Sequence, residues 1–193
     1  MTPETRRAVW VGLGQVALVL LSVGLGFAVS EWRQGQADAD RARLAMDAAA
    51  REIAANRALA MEARDYHAEM IDVFRSGEVP VLQLRAAPLS NSAWETVQAS
   101  GVVADLPYPV VSALAQIHEV QDTYRDFAQI TLSVLYFGNV FSGDRLPADP
   151  AGYDSSIEDL YHLEDRLVAL YDGALRTISD AGFEAPDSLL ADP

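Results

Sequence analysis

The sequence predicts an all-α protein, with a single N-terminal transmembrane helix followed by an irregular antiparallel helical bundle. Three observations predict it. Ala8 to Ser30 is a run of 23 residues without a charge. Three later segments carry apolar residues at alternating spacings of three and four, and no run alternates apolar with polar residues as a half-buried strand would. The expected division is a cytoplasmic tail 1–7, an anchor 8–30, a helical extracytoplasmic domain 31–182 and a tail 183–193.

In the first element, AVWVGLGQVALVLLSVGLGFAVS, Gln15 is the only strongly polar side chain. A membrane-spanning helix needs about 20 apolar residues, whereas the apolar part of a secretory signal runs to about 7–15. Length therefore favours an anchor, although Ala28-x-Ser30 has the small-residue pattern of a cleavage site. Trp10 and Trp32 lie 22 positions apart, roughly 33 Å along a helix, so their indoles suit the two headgroup boundaries. Arg6 and Arg7, set against the apolar run, favour a cytoplasmic N-terminus and a periplasmic domain in the inner membrane of a Gram-negative cell. Ser22, Gly26 and Ser30 recur every four residues, a small-residue stripe that lets membrane helices approach closely.

From Gln34 to Phe74 there is no proline and many strong helix formers, so the anchor and the next helix are expected to run on as one rod with Gly35 as its weak point. Met46, Ala49, Ile53, Asn56, Ala60, Ala63, His67, Met70 and Phe74 form its seam. The abundance of Ala and the interruptions by Asn56 and His67 favour packing within the domain over a coiled-coil dimer. GEVPVLQLRAAPLSN has two prolines and no period, and is expected to connect. Ser92-Ala93-Trp94-Glu95 fits a capping box opening a short helix that Gly101 stops. Pro107 and Pro109 suit the first turn of the next helix, whose stripe is Val110, Leu114, Ile117, Val120 or Gln121, Tyr124 and Phe127 or Ala128. A loop over 139–153 follows, and Ser155-Ser156-Ile157-Glu158 is a second capping box. The stripe of the helix it opens is Leu160, Leu163, Leu167, Leu170, Ala174 and Ile178, ending near Ala181-Gly182.

EWRQ after the apolar run, then REIAANRALA, then SAWETVQASGVVADLPYPVVSALAQIHEVQDTY, together resemble an uncharacterised family of bacterial single-pass membrane proteins. In that family an N-x-W-like exit precedes an E-I-x-x-N segment and a W/Y-x-x-L-x-x-S-G stretch. The similarity covers roughly residues 15 to 125. Ser30 stands where the exit motif has Asn, and Val97 where the later one has Leu. The resemblance implies a membrane-anchored helical domain and supplies no catalytic residues.

Composition narrows the chemistry. There is no Cys, which excludes disulfides and thiolate catalysis. From Glu31 onward 12 basic residues, all Arg, face 27 acidic ones, a net charge of −15. Such a surface repels phosphate backbones, so no nucleic-acid partner is expected. No phosphate-binding loop, dinucleotide glycine pattern, serine elbow or H-E-x-x-H occurs. Asp159 and His162, at i and i+3, would share a helix face, but a carboxylate-bridged metal bundle needs two such motifs and further Glu ligands. No metal or cofactor site is expected, and the three histidines are expected on helix surfaces. Asp144, Asp149 and Asp154 lack the ligand spacing of a calcium loop. YFGNVF is a candidate partner contact. The expected function is that of a non-enzymatic accessory or assembly subunit of an integral membrane complex, with homo-oligomerisation left open. The alternatives are a periplasmic ligand-sensing bundle and a metal-dependent enzyme.

Overall fold

A computed structural model describes the backbone of residues 3–77, 85–142 and 150–184, and the side chains of 15, 18–77, 85–133 and 155–184. Its elements are α1 (Pro3–Arg75), α2 (Ser92–Ala99), a 3-10 turn (Val102–Asp105), α3 (Tyr108–Ser142) and α4 (Pro150–Asp180). No strand occurs among the described residues, and the chain is all-helical as expected. It divides into two compact units, Met1–Ala42 and Arg43–Pro193.

The first unit lies within α1, which stays helical through Gly35. Every residue from Leu18 to Ala37 is exposed. Among the described residues no helix is long and apolar enough to cross a membrane. The side chains of Arg6, Arg7 and Trp10, with most of the first half of the uncharged run, lie outside the described residues.

In the second unit α1 buries the expected seam from Met46 to Met70, with Phe74 half-buried at its end. Gly77 closes the helix at φ +79, a left-handed position that glycine adopts without a Cβ clash, and its N–H donates to Phe74 O at 3.0 Å. On α3 the stripe from Val110 to Ala128 is buried as expected, apart from half-buried Phe127. Pro107 precedes the first turn and its carbonyl accepts from Val110 N at 3.0 Å, a position where proline forfeits no helical bond. On α4 the buried face is Ile157, Leu160, Glu164, Leu167, Val168, Tyr171, Ala174, Leu175 and Ile178. Leu163 and Leu170, expected in the core, are only half-buried. The helix ends in a Schellman motif: Gly182 N donates to Ser179 O at 2.9 Å and Phe183 N to Ile178 O at 3.2 Å.

Both capping boxes are corrected. Helix α4 begins at Pro150, so Ser155 to Glu158 lie inside it. The residue before α2 is Asn91, and no side chain within that turn caps the helix. Helices α3 and α4 extend into the expected loop over 139–153 from both sides, to Ser142 and from Pro150. Asp144, Asp149 and the side chains of Asp154 and YFGNVF lie outside the described residues, as do the middle of the 77–91 connection and the tail beyond Glu184.

Contacts along the helices fix their directions. Arg57 pairs with Asp172 at 2.6 Å, Arg64 with Asp165 at 3.5 Å and Arg75 with Glu158 at 3.0 Å, so α4 descends as this part of α1 rises. Gln121 bonds Tyr171 and Tyr124 bonds Glu164, so α4 is antiparallel to α3 as well. Helices α1 and α3 therefore point the same way; the 85–91 segment runs back along α1, with Arg85 over Tyr66 and Ser90 on Asn56, to reach the start of α2. At one end Met70, Ile71 and Ile157 pack under Tyr66, Phe74 and Tyr161. Full burial of each large apolar side chain contributes about 1.5–3 kcal/mol.

Candidate functional site

Two polar centres tie this helical unit together, one at its surface edge and one in its interior. The first joins the two segments REIAANRALA and SAWETVQASG, which the fold brings into contact. Glu52 reaches from α1 to the start of α2, where Oε2 accepts from Ser90 Oγ at 2.8 Å, Ser92 Oγ at 2.5 Å and Ala93 N at 2.9 Å. It does for α2 what a local cap would do: a carboxylate meets an orphan amide, Ala93 N–H, at the positive end of the helix. One turn on, Asn56 holds the backbone of Ser90 at both groups, donating from Nδ2 to its carbonyl at 2.7 Å and accepting its N–H at 3.0 Å. An amide paired in this way mimics a strand partner, and it fixes a segment with no secondary structure of its own. Trp94 and Val97 then bury α2 on the bundle, and Gly101, at φ +74, turns the chain away.

Beside this junction Asn91 completes a polar cluster. With its amide nitrogen turned toward acceptors, it donates to Ser90 O at 3.1 Å and to Gln121 Oε1, while its oxygen accepts from Arg125 at 2.9 Å and His118 Nδ1 at 3.1 Å. His118 also lies 3.4 Å from Asp122 across one helical turn.

The second centre crosses the middle of the bundle. Ala87 N–H donates to Tyr124 Oη at 2.8 Å, Tyr124 donates to Glu164 Oε1 at 2.8 Å, and His67 Nδ1 meets Glu164 Oε2 at 2.8 Å. Nearby, Gln121 Nε2 donates to Tyr171 Oη at 2.7 Å. Burial, then the charge of Glu164, holds Tyr124 far above the ordinary phenol range. Burial likewise pushes Tyr171 up to about 12, against the Gln121 amide, whose donation favours the phenolate. Both phenols are therefore neutral throughout the physiological range, Tyr124 donating to Glu164 and Tyr171 accepting from Gln121. An imidazole, a carboxylate and a phenol in line have the makings of a proton relay, but the side chains of His67 and Glu164 are 0% exposed. No substrate reaches them in this conformation, and the chain of bonds ties α1, α3, α4 and the 85–91 segment together.

Neither centre was anticipated. Surface histidines were expected, and His67 is wholly buried. The signal was present, because His67 lies on the seam of α1 and Glu164 falls between Leu160 and Leu167 on the stripe of α4. A histidine and an acid at core positions of two helices are expected to find one another. Among residues singled out in the sequence, Ser22, Gly26, Ser30 and Trp32 are all exposed. Ser22 Oγ donates to Leu18 O at 2.8 Å, and a Cβ built on Gly26 meets nothing within 4 Å. Asp159 and His162 are exposed, and no group of three or more His, Asp or Glu among the described residues could hold a metal ion.

Comparison of the chain with protein-family models, with curated proteins and with solved structures finds no match.

Proposed function

We propose that the protein is a non-enzymatic, membrane-anchored accessory or assembly subunit of a larger bacterial inner-membrane complex, with its N-terminus cytoplasmic and its helical domain periplasmic. The observation that carries this reading is the helix from Leu18 to Trp32, where Leu18, Leu20, Leu21, Leu25, Phe27 and Trp32 are each 62–72% exposed. A helix with a single apolar stripe docks on one neighbour. One that is apolar on every side has to be surrounded. Leu18 to Ser30 is 13 residues, and the uncharged sequence back to Ala8 extends it to 23, past the roughly 20 a bilayer requires. Lipid is the surrounding that fits, with Trp32 at its edge and Ser22 satisfying its own hydroxyl within the helix. A role in assembly is supported by the two polar centres, which hold helices and loop together rather than opening to a substrate. The resemblance of three segments to bacterial single-pass membrane proteins points the same way.

Carbonate extraction of native membranes, then purification in mild detergent, tests both halves. The protein is expected to stay with the membrane fraction and to copurify with other integral membrane proteins. Release by carbonate would remove the anchor, and migration alone in several mild detergents would remove the complex.

A groove between α3 and α4 favours a second reading, a ligand-sensing bundle. It encloses about 380 Å³ and is lined by Tyr108, Ala113, Gln116, Leu170, Gly173 and Thr177, among others, without a charged side chain. That volume lies within the range of small-molecule sites. A melting point raised by a small uncharged ligand, in the absence of any copurifying protein, would put this reading first.

A further inference from the structure

At the first polar centre the two joined segments enclose a cavity of about 20 Å³, lined by Glu52, Asn56, Trp94, Leu114, His118 and Gln121 among others. Trp94 is only 9% exposed, and its Nε1 is buried without a hydrogen-bond partner. An indole N–H can only donate. The neighbouring side chains have turned elsewhere: both ends of the Asn56 amide hold Ser90, Gln121 Nε2 donates to Tyr171, and Glu52 Oε2 faces Ser90, Ser92 and Ala93.

These constraints define the occupant. It has to accept from the indole, which excludes a metal or ammonium ion. It has to sit beside the Glu52 carboxylate, which excludes an anion. It can also donate, because Glu52 and Gln121 line the same space, and an oxygen that already accepts, as Gln121 Oε1 does from Asn91, keeps a second lone pair. A buried water needs about 10–15 Å³ and two to four polar partners, and this cavity supplies both. We propose that the cavity between α1, α2 and α3 is a binding site for one water molecule, which accepts the Trp94 Nε1–H and donates to Glu52 and Gln121. The water completes the joint that Glu52 and Asn56 begin, so the start of α2 is held to α1 and α3 by a continuous hydrogen-bonded seam.

The test uses the full-length chain in mild detergent, with Trp94 replaced by its benzothiophene analogue, in which sulfur stands for the N–H and ring shape is kept. If the indole donates to a bound water, the analogue is expected to unfold about two- to tenfold more readily than the wild type, the range of one net hydrogen bond. The wild-type Trp94 indole proton, assigned by its disappearance in Trp94→Phe, is expected to show a cross-peak to water with the sign of a long-lived contact. An analogue as stable as the wild type or more so would overturn the proposal, since removing an unpartnered buried donor is neutral or favourable. A wild-type spectrum without the water cross-peak would overturn it as well.

Discussion

Tyr124 spans the interior with one oxygen, accepting from Ala87 N–H and donating to Glu164. Tyr124→Phe keeps the ring but leaves the partly buried Ala87 N–H and the buried Glu164 Oε1 without this partner, while Oε2 keeps His67. The expected cost is about 1–3 kcal/mol, measured by urea unfolding. A cost below about 0.5 kcal/mol would place the site among ordinary surface positions and show that water reaches the stranded groups. Tyr171 gives a second expectation with a definite sign. Its folded pKa of about 12 lies above the ordinary phenol value of 10.0, so the folded state holds its proton where the unfolded chain releases it. The contribution is complete below pH 10 and is lost as pH rises toward 12. It amounts to about 2–3 kcal/mol over that window, by the linkage of proton binding to stability. In Tyr171→Phe the alkaline decline in stability is expected to be shallower by about that amount. Equal alkaline slopes in the two proteins would show that the phenol is no less accessible folded than unfolded.

Among the elements, α2 depends most on distant support. Eight residues are too few to hold a helix alone, and α2 persists because Glu52 caps it and Trp94 and Val97 bury it. Glu52→Ala is expected to cost about 0.5–2 kcal/mol, the range of a lost cap. Ser92→Ala should cost less, because Ala93 N–H still finds Glu52. If Ser92→Ala proves the more damaging, the local capping box operates after all. The α4 stripe gives a sharper comparison. Leu167→Ala is expected to cost about 2–5 kcal/mol, as for a buried leucine, and Leu163→Ala clearly less, since Leu163 is half-buried. The seams of α1 and α3 were legible because apolar residues repeat there at helical spacing and few other arrangements bury them. On α4 the same rule favoured Leu163 over Glu164 by residue type. Its buried polar side chain is held in place by Tyr124 and His67, partners 40 and 97 positions away, which local periodicity cannot register. The capping box at Ser92 failed for a related reason: a Ser-x-x-Glu pattern offers a local cap, but Glu52 supplies an acceptor from another helix, whereas the box at Ser155 failed because α4 already begins at Pro150. Glu52, Asn56 and Trp94 were quoted as motif residues, yet only the fold shows that they meet.

At the scale of the whole molecule, an acidic helical unit and an exposed apolar helix set different requirements. The second unit carries 10 basic against 24 acidic residues, a net charge of −14 that repels anionic lipid headgroups, whereas on the proposed function Leu18 to Trp32 has lipid or protein around it. If the N-terminus is cytoplasmic, alkaline phosphatase fused to the C-terminus is expected to be active and GFP at the same point dark; bright GFP would reverse the orientation. Glycines in the apolar helix offer a way to detect what surrounds it. A Cβ on Gly24 or on Gly26 meets nothing within 4 Å in this chain, so leucine at either position leaves the protein's own packing alone. The two positions lie about 200° apart around the helix axis, and only Gly26 shares the stripe of Ser22 and Ser30. If partner membrane helices dock against that stripe, Gly26→Leu is expected to release the protein from its complex by blocking close backbone approach. Gly24→Leu should leave the complex intact, and both variants should keep the wild-type circular dichroism and melting temperature. Equal retention of both variants in the complex would show that the stripe is not the docking face. Loss of both would point to general crowding around the helix rather than to a face built around Gly26.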